Sequence, residues 1–213
     1  MKKQPPLVFV VDDDKSVRRS LVNLLASEDY ATETFATAAE YLAREPHAGP
    51  SCLVLDVQMP GLDGLALQQQ LAARGRHEQI VFITGHGDIP MSVRALKSGA
   101  VDFLPKPFRD DELLAAIAQA LAGSAKHCRA HGEVAEIRTR LARLTPREFE
   151  VMRFVIAGLL NKQIGAELGA ALRTIKTHRS RVMEKMGLVS VAELVRVMEK
   201  AGIAPAWHGP KVP

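Results

Sequence analysis

Six polar side chains in the first half of the sequence follow short apolar runs, and their types suit phosphate chemistry. They are Asp12, Asp13, Asp14, Asp56, Thr84 and Lys106. Carboxylates that crowd together raise one another's pKa unless a cation intervenes, and a hard divalent ion such as Mg²⁺ prefers oxygen ligands. An aspartate beside a metal and a lysine can attack phosphorus, because both cations neutralise the incoming phosphoryl oxygens. This reasoning predicts that Asp56 is a phosphoacceptor, with Mg²⁺ as its cofactor.

Apolar runs of strand length must position these side chains. The runs are LVFVV (7–11), CLVL (52–55), IVFIT (80–84) and VDFL (101–104), with a weaker run, ATETF (31–35), between the first two. Segments with helical periodicity separate them, such as 15–27, where Val17, Leu21 and Leu25 share one face. Continuous apolar runs are typical of strands buried on both sides of a parallel sheet. We therefore predict an α/β doubly wound fold with a five-stranded parallel sheet, which gathers the polar strand ends at one edge.

Each of these residues, taken alone, also fits a structural role. Asp56 could cap the turn around Pro60 and Gly61, Lys106 could form a plain salt bridge with it, and Asp14 could be a solvated loop carboxylate. The phosphoryl site is the better explanation of four strand ends that supply complementary groups together.

The segments VVDDD, LVLDVQMPGLDG, ITGHGD and AVDFLPKPF occur in this order and resemble the receiver domain of bacterial two-component response regulators, over roughly residues 5–122. The resemblance implies that Asp56 accepts a phosphoryl group from a phosphohistidine of a sensor histidine kinase. It also implies that Asp12, Asp13, Asp56 and the backbone carbonyl of Gln58 hold Mg²⁺.

The same resemblance implies a switch. Thr84 and Lys106 would contact the phosphoryl oxygens, and the Lys106–Pro107 peptide would be cis. Movement of Thr84 would vacate space for the ring of Phe103, although Phe103 also fits a plain core position. Strand 5 and a helix near 89–99 would shift with it, and relatives of this type dimerise through this face.

Charge and composition divide the chain. Residues 1–122 hold 12 Lys and Arg against 16 Asp and Glu, whereas residues 123–213 hold 16 against 8. The basic second part suits a polyanion. We predict a receiver domain at 1–122, a helical linker at 123–143 and a DNA-binding domain at 144–213 that ends in a loose tail. With no apolar run near 18 residues and no secretory signal, we expect no membrane association and a cytoplasmic location.

The second part contains four helix signals. In LTPREFEVM, Thr145 is placed as an N-cap, Pro146 at the first helical position and Glu148 at the third. Asn161 is placed to cap a second, short helix. A third helix is predicted near 172–186, and a fourth at 191–201, after Ser190.

The third of these helices has two different faces. Ile175, Val182 and Met186 fall together on a helical wheel and should pack inward. The opposite face is basic and narrow enough for the DNA major groove. Arg179 lies near the buried edge, where its long side chain suits contact with a phosphate.

The segment LTPREFEVMRFVIAGLLNKQIGAELG, followed by RTIKTHRSRVMEKMG, resembles the LuxR-type helix-turn-helix of the FixJ and NarL response regulators, over roughly residues 141–201. The resemblance implies that the third helix reads the major groove and that the fourth contributes to a dimer. We predict DNA contacts from Asn161, Lys162, Arg173, Thr174, Lys176, Thr177, Arg179, Ser180 and Arg181. The chain departs from the family at Ala170 and Ala171, where a serine N-cap is usual. Loss of such a cap costs about 1 kcal/mol. We therefore expect the start of the third helix to be frayed or shifted until DNA orders it.

Val134, Ile137, Leu141 and Leu144 form a short heptad-like stripe in the predicted linker. It could pair two subunits or dock on its own domain.

We predict a response regulator and not an enzyme, apart from self-catalysed phosphoryl transfer to and from Asp56. Phosphorylation should promote a homodimer that binds paired half-sites of double-stranded DNA, because the second half-site becomes an intramolecular target. Activation of RNA polymerase is the expected outcome, with repression as an alternative. Two other hypotheses are a regulator that binds DNA independently of phosphorylation and a phosphorelay or phosphatase-sink protein.

Overall fold

The computed structural model describes residues 5–85 and 89–206. The predicted loose tail runs from Ala204 to Pro213, and its part from Trp207 onward lies outside the described residues. Its first residues are held and not loose, because the backbone N–H of Ala206 donates to the carbonyl of Arg153 at 3.0 Å and Ala206 is buried. The chain divides into two compact units, Met1–Arg129 and Ala130–Pro213, and we describe each by itself. Within the described ranges, no helix combines the length and the apolar character that crossing a membrane requires.

The first unit is a five-stranded parallel sheet with helices on both faces. Its strands are β1 (Leu7–Val11), β2 (Ala31–Phe35), β3 (Ser51–Asp56), β4 (Gln79–Thr84) and β5 (Asp102–Pro105), in the order β2-β1-β3-β4-β5. Its helices are α1 (Lys15–Ser27), α2 (Ala38–Ala43), α3 (Gly64–Ala73), α4 (Ile89–Lys97) and α5 (Asp110–Leu141). The doubly wound fold predicted from the apolar runs is confirmed.

Alternate residues of each central strand enter two separate cores. In β1, Val8 and Val10 pack with residues of α1 and α5, such as Leu25 and Ile117. The neighbouring Phe9 enters the core on the other face, with residues of α2 and α3. Because both faces are covered, the interior positions of the central strands are apolar, which explains the continuous runs in the sequence.

The strand register brings the polar ends to one edge of the sheet. Val11 pairs with Leu55, so the residues that follow β1 lie beside Asp56 at the end of β3. Asp56 pairs with Ile83, and Thr84 pairs with Pro105. The backbone N–H of Lys106 donates to the carbonyl of Thr84 at 2.7 Å. Four chain segments that are distant in sequence therefore meet at this edge.

A buried ionic cluster lies just before the start of β4, away from the carboxyl ends of the strands. Glu78 accepts hydrogen bonds from Arg44 Nη2 at 3.1 Å and from Arg76 Nε at 3.0 Å. The guanidinium of Arg44 also stacks 3.7 Å from the ring centroid of Phe9 and 4.5 Å from that of Tyr41. This cluster joins the ends of α2 and α3 to the core that contains Phe9 and Tyr41, and no pattern in the sequence predicts it.

The second unit is helical. It comprises the last part of α5, from Ala130, and the helices α6 (Pro146–Ile156), α7 (Asn161–Leu168), α8 (Leu172–Met186) and α9 (Val191–Lys200). Ile137 is buried in its core, and Leu141 and Leu144 pack against it. The stripe in the predicted linker thus docks on the helical unit, which is one of its two proposed roles.

The start of α7 corrects one prediction. We predicted Asn161 as the N-cap, but the helix begins at Asn161 and its N-cap is Leu160. The backbone N–H of Leu160 donates to Oε1 of Gln163 at 2.7 Å. The side chain of Asn161 instead accepts a hydrogen bond from Arg179 Nη1 at 3.0 Å. A hydrogen bond from a charged arginine is stronger than the neutral hydrogen bond of an N-cap. The side chain of Asn161 therefore binds Arg179 and does not cap α7.

The start of α6 matches the prediction and adds an ion pair. Thr145 and Glu148 form the predicted capping box. Glu148 is 2% exposed, and its Oε2 accepts from Lys185 Nζ of α8 at 2.6 Å and from the N–H of Thr145 at 2.8 Å. The hydrogen bond from Lys185, helped by that from the Thr145 backbone, lowers the pKa of Glu148 from 4.5 to about 2.

Acid should therefore destabilise the second unit through Glu148. Because its folded pKa lies below its unfolded pKa, Glu148 contributes stability that is present above about pH 4.5 and is lost as the pH falls toward 2. We expect Glu148→Gln to be less stable than wild type at pH 7 and to lose less stability between pH 5 and 3. Urea unfolding followed by methyl NMR of the buried Met152 and Met186 reports on this unit.

Glu150→Gln is the matched control, because Glu150 lies two residues away and pairs with Arg147 in a half-exposed position. Its stability should follow wild type at each pH. If Glu148→Gln lost stability on acidification as steeply as wild type, the lowered pKa of Glu148 would not contribute to folding.

Candidate functional site

Three carboxylates converge at the carboxyl ends of β1 and β3. One oxygen from each of Asp12, Asp13 and Asp56 lies within 4.8 Å of the others. Asp12 is completely buried and Asp56 is 6% exposed, whereas Asp13 is exposed. The donors are all hard oxygen atoms, which matches the preference of Mg²⁺ and not that of softer transition metals.

Lys106 bridges the two buried carboxylates. Its Nζ lies 2.8 Å from Oδ2 of Asp12 and 3.0 Å from Oδ2 of Asp56. Burial raises the pKa of Asp12, and the hydrogen bonds from Lys106 and from the N–H of Asp14 offset this only in part. Burial opposes the charge on Lys106, but its hydrogen bonds to Asp12 and Asp56 raise its pKa overall. At this edge, the single positive charge of Lys106 therefore only partly neutralises the negative charge of the three carboxylates.

The turn after β3 fixes the position of Asp56. The backbone N–H of Gln58 donates to Oδ1 of Asp56 at 3.2 Å. Gly64, the first residue of α3, lies so close that a Cβ there would be 2.3 Å from the carbonyl oxygen of Asp56. Only glycine permits this approach. The side chain of Gln58 is exposed, so only its backbone belongs to the edge.

Asp14 is exposed, as a solvated loop carboxylate would be, and it also has a structural role. Its Oδ1 accepts from the backbone N–H of Ser16 at 2.7 Å and of Val17 at 3.4 Å, so it is the N-cap of α1. An aspartate directly before a helical segment is a sequence signal that could have identified this cap.

Thr84 and Phe103 lie on the neighbouring strands β4 and β5. Thr84 is completely buried at the end of β4, next to the strand that carries Asp56. Phe103 is partly buried, with its ring centroid 6.1 Å from that of Phe82, and it packs on the same core as Met91 of α4. The Lys106–Pro107 peptide is cis, as predicted.

Helix α4 presents an apolar stripe to solvent. Ile89, Val93 and Leu96 are 80%, 41% and 45% exposed and follow the helical spacing of one face. A contiguous exposed apolar surface commonly marks a protein–protein contact.

Helix α8 has one buried face and one exposed face, as its sequence predicts. Ile175, Val182 and Met186 are buried. The exposed residues on the other side are Arg173, Thr174, Lys176, Thr177, Ser180 and Arg181. Arg179 is partly buried and bound to Asn161, while Lys162 is exposed beside it at the start of α7. The predicted DNA contacts therefore form one basic surface, which extends from α7 across α8.

These features define a class of protein. A doubly wound sheet with an acid–lysine–threonine edge, together with a helical unit that exposes a basic helix, is the arrangement of a response regulator with a DNA-binding output domain.

Comparison with known proteins gives the same class. Residues 8–118 match the family described as response regulator receiver domain, and residues 142–198 match bacterial regulatory proteins of the luxR family. Nodulation protein W of Bradyrhizobium diazoefficiens is 50% identical over 198 residues, which are 93% of this chain and 87% of that protein. The transcriptional regulatory protein FixJ of Azorhizobium caulinodans is 43% identical over 199 residues, which are 93% and 94% of the two chains. The solved structure of the response regulator StyR gives a TM-score of 0.84 at 48% identity and covers 92% of this chain and 100% of that one.

The chain belongs to the two-component response regulators that combine a receiver domain with a LuxR-family DNA-binding domain. A receiver domain implies a histidine kinase as partner, and the LuxR-family domain implies binding to DNA. The protein is a transcriptional regulator.

Proposed function

We propose that Asp56 accepts a phosphoryl group from a sensor histidine kinase and that this promotes dimerisation and sequence-specific binding to paired DNA half-sites. The observation that carries the proposal is the position of Lys106 Nζ between Asp12 and Asp56. One ammonium group, held by two buried carboxylates at the carboxyl ends of the strands, is placed to neutralise an added phosphoryl group.

The chemistry follows from the groups at this edge. An oxygen of Asp56 attacks the phosphorus of the phosphohistidine, the P–N bond breaks, and the imidazole nitrogen keeps the electron pair. Asp12, Asp13, Asp56 and the Gln58 carbonyl would hold Mg²⁺, which supplies positive charge at the phosphoryl oxygens. Lys106 exchanges its contact with Asp56 for a phosphoryl oxygen. Water later attacks the phosphorus of the acyl phosphate, the P–O bond to Asp56 breaks, and inorganic phosphate leaves with the carboxylate restored.

A groove beside α1 offers a place for the kinase. It has a volume of about 600 Å³ and is lined by Leu24 of α1 and by Lys106, Pro107 and Phe108. Because Lys106 belongs both to this groove and to the acidic edge, a kinase seated there brings its phosphohistidine next to Asp56.

Phosphorylation would act at a distance through Thr84. Its hydroxyl turns toward the phosphoryl oxygens, and the ring of Phe103 moves into the space behind it. Phe103 packs on the same core as α4, so this movement shifts the helix that exposes Ile89, Val93 and Leu96. This apolar stripe is the surface that we assign to the receiver dimer.

The dimer presents two copies of α8 to DNA. Lys176, Thr177 and Ser180 are placed to contact base edges, and Arg179, held by Asn161, is placed to contact a phosphate together with Lys162. The protein would thus act in the cytoplasm as a regulator, and in most cases an activator, of transcription by RNA polymerase.

The proposal is tested with the full-length protein in Mg²⁺, with and without acetyl phosphate. Sedimentation velocity measures the dimer, and fluorescence anisotropy measures binding to a duplex selected from a random library with the phosphorylated protein. We expect a monomer–dimer shift and roughly 100-fold tighter binding. Equal affinity in both states would support a phosphorylation-independent regulator, and phosphorylation without DNA binding would support a relay protein.

Val93→Asp separates phosphorylation from dimerisation. A charge in the centre of the apolar stripe should prevent the α4 contact, while the distant Asp56 still takes up phosphate at the wild-type rate. Gln69→Asp on the exposed side of α3 introduces the same charge and should leave the dimer intact. If Val93→Asp still dimerised on phosphorylation, the α4 stripe would not be the dimer surface.

A further inference from the structure

The end of α5 is a structural part of the DNA-binding unit. Residues from Ala130 onward belong to this unit, although the match to the LuxR family begins only at residue 142. Ile137 is 8% exposed in the core of the unit. Glu133 forms an ion pair with Lys200 of α9. The helical turns before residue 142 therefore supply contacts that the matched family region does not contain.

One of these contacts reaches the end of α8. Arg140 Nη1 donates to the backbone carbonyl of Met186, the last residue of α8, at 3.0 Å. Its Nη2 lies 2.6 Å from Oε1 of Glu136, which orients the guanidinium. The last carbonyls of a helix have no partners within the helix, and the negative end of the helix dipole favours a cation there. Arg140 thus caps the C-terminus of α8.

The two ends of α8 are held very differently. At the C-terminal end, Arg140 binds Met186, and Lys185 pairs with the buried Glu148. At the N-terminal end, the N-cap is Ala171, which makes no side-chain hydrogen bond in the described chain. The residues that we assign to base contacts follow this weakly held end. Ile175 anchors the N-terminal half through apolar burial, whereas the C-terminal end adds two polar contacts that can orient the helix.

We infer that Arg140 is a positioning residue for DNA recognition: it fixes the angle at which α8 enters the major groove without itself binding DNA. This inference rests on the proposed role of α8 in base reading. Met186 lies ten residues from Lys176, which is about 15 Å along a helix. A small tilt at the capped end thus becomes a displacement of the base-contacting side chains, and bidentate or short hydrogen bonds to bases tolerate little displacement.

Arg140→Ala tests the inference, with Arg138→Ala as the matched control. Arg138 is exposed on the same helix, and its side chain forms no hydrogen bond or ion pair with any residue in 5–85 or 89–206. Both variants lose one positive charge. We expect Arg140→Ala to bind the selected duplex about tenfold more weakly, as loss of one charged hydrogen bond implies. Its affinity for a random-sequence duplex should change no more than that of Arg138→Ala.

Salt dependence distinguishes positioning from direct contact. If Arg140 does not touch DNA, the slope of log affinity against log salt stays at the wild-type value in Arg140→Ala, whereas loss of one phosphate contact lowers it by about 0.9. Arg140→Lys, which keeps the charge but not the two-pronged geometry, should give an intermediate loss of specific affinity. All measurements are made at a temperature at which circular dichroism shows each variant to be folded.

Two results would overturn the inference. Either Arg140→Ala and Arg138→Ala lose specific affinity equally, or the salt slope of Arg140→Ala falls by one phosphate contact. Lys176→Ala distinguishes failure of the inference from failure of the proposed function. If Lys176→Ala binds the selected duplex like wild type, α8 does not read bases; if it binds weakly while Arg140→Ala does not, only the role of Arg140 is wrong.

Discussion

Asp56→Asn is expected to abolish phosphorylation, with labelling from acetyl phosphate or from a kinase falling below detection. The amide has no anionic oxygen to attack phosphorus, and it is also a poorer ligand for Mg²⁺. The fold should survive the change, because Lys106 keeps its 2.8 Å contact with Asp12. Without the acyl phosphate there are no phosphoryl oxygens for the hydroxyl of Thr84 to contact, so the switch is not triggered. The variant should therefore remain monomeric and bind DNA with the affinity of the unphosphorylated protein.

Incorporation of ³²P, measured with and without a chelator of Mg²⁺, is the direct test. Removal of Mg²⁺ should stop labelling of wild type as completely as the substitution does. Asp29→Asn makes the same chemical change at an exposed turn, where a φ of 58° suits asparagine as well as aspartate. It should label normally. Normal labelling of Asp56→Asn would show that another residue accepts the phosphoryl group.

The sheet and its acidic edge could be predicted from the sequence because both depend on local patterns. The central strands β1, β3 and β4 are built from apolar runs, and in a parallel sheet every strand ends at the same edge, so residues that follow separate strands must meet there. Asp12 and Asp56 are 44 positions apart, yet this rule brings them together without knowledge of any side-chain contact. The division of α8 into a buried and a basic face follows in the same way from helical periodicity alone.

Contacts between particular side chains could not be predicted, because no periodicity encodes them. Arg44, Arg76 and Glu78 meet only because α2 and α3 happen to end beside the start of β4. The prediction of Asn161 as the N-cap of α7 was wrong for a related reason. Asn161 satisfies the local rule for an N-cap, but the partner that outcompetes it is Arg179, on another helix. The partners of long polar side chains depend on how the helices and strands pack together, and local sequence patterns do not specify this packing.

The second large effect is expected from Gly64→Ala, which should destabilise the receiver and displace its phosphoacceptor together. A Cβ at position 64 would lie 2.3 Å from the carbonyl oxygen of Asp56 and 3.0 Å from Cα of Val57. Both are backbone atoms, so no side-chain rotation can relieve the contact, and α3 or the end of β3 must move. Overpacking of this kind costs about 3 kcal/mol. Because the carbonyl belongs to Asp56 itself, we also expect slower phosphorylation in the fraction that folds.

Gly132→Ala is the matched control, since it adds the same methyl group where no atom in the described parts of the chain lies within 4 Å. Gly132 is exposed within α5, where alanine is the better helix former by about 1 kcal/mol. Gly64→Ala should therefore lower the urea midpoint of the first unit, whereas Gly132→Ala should leave that midpoint unchanged, because Gly132 belongs to the second unit. Phosphorylation rates, normalised to folded protein, should fall only in Gly64→Ala. Equal stability of Gly64→Ala and wild type would show that α3 can retreat freely from Asp56, and the close approach would then not be what holds the acceptor in place.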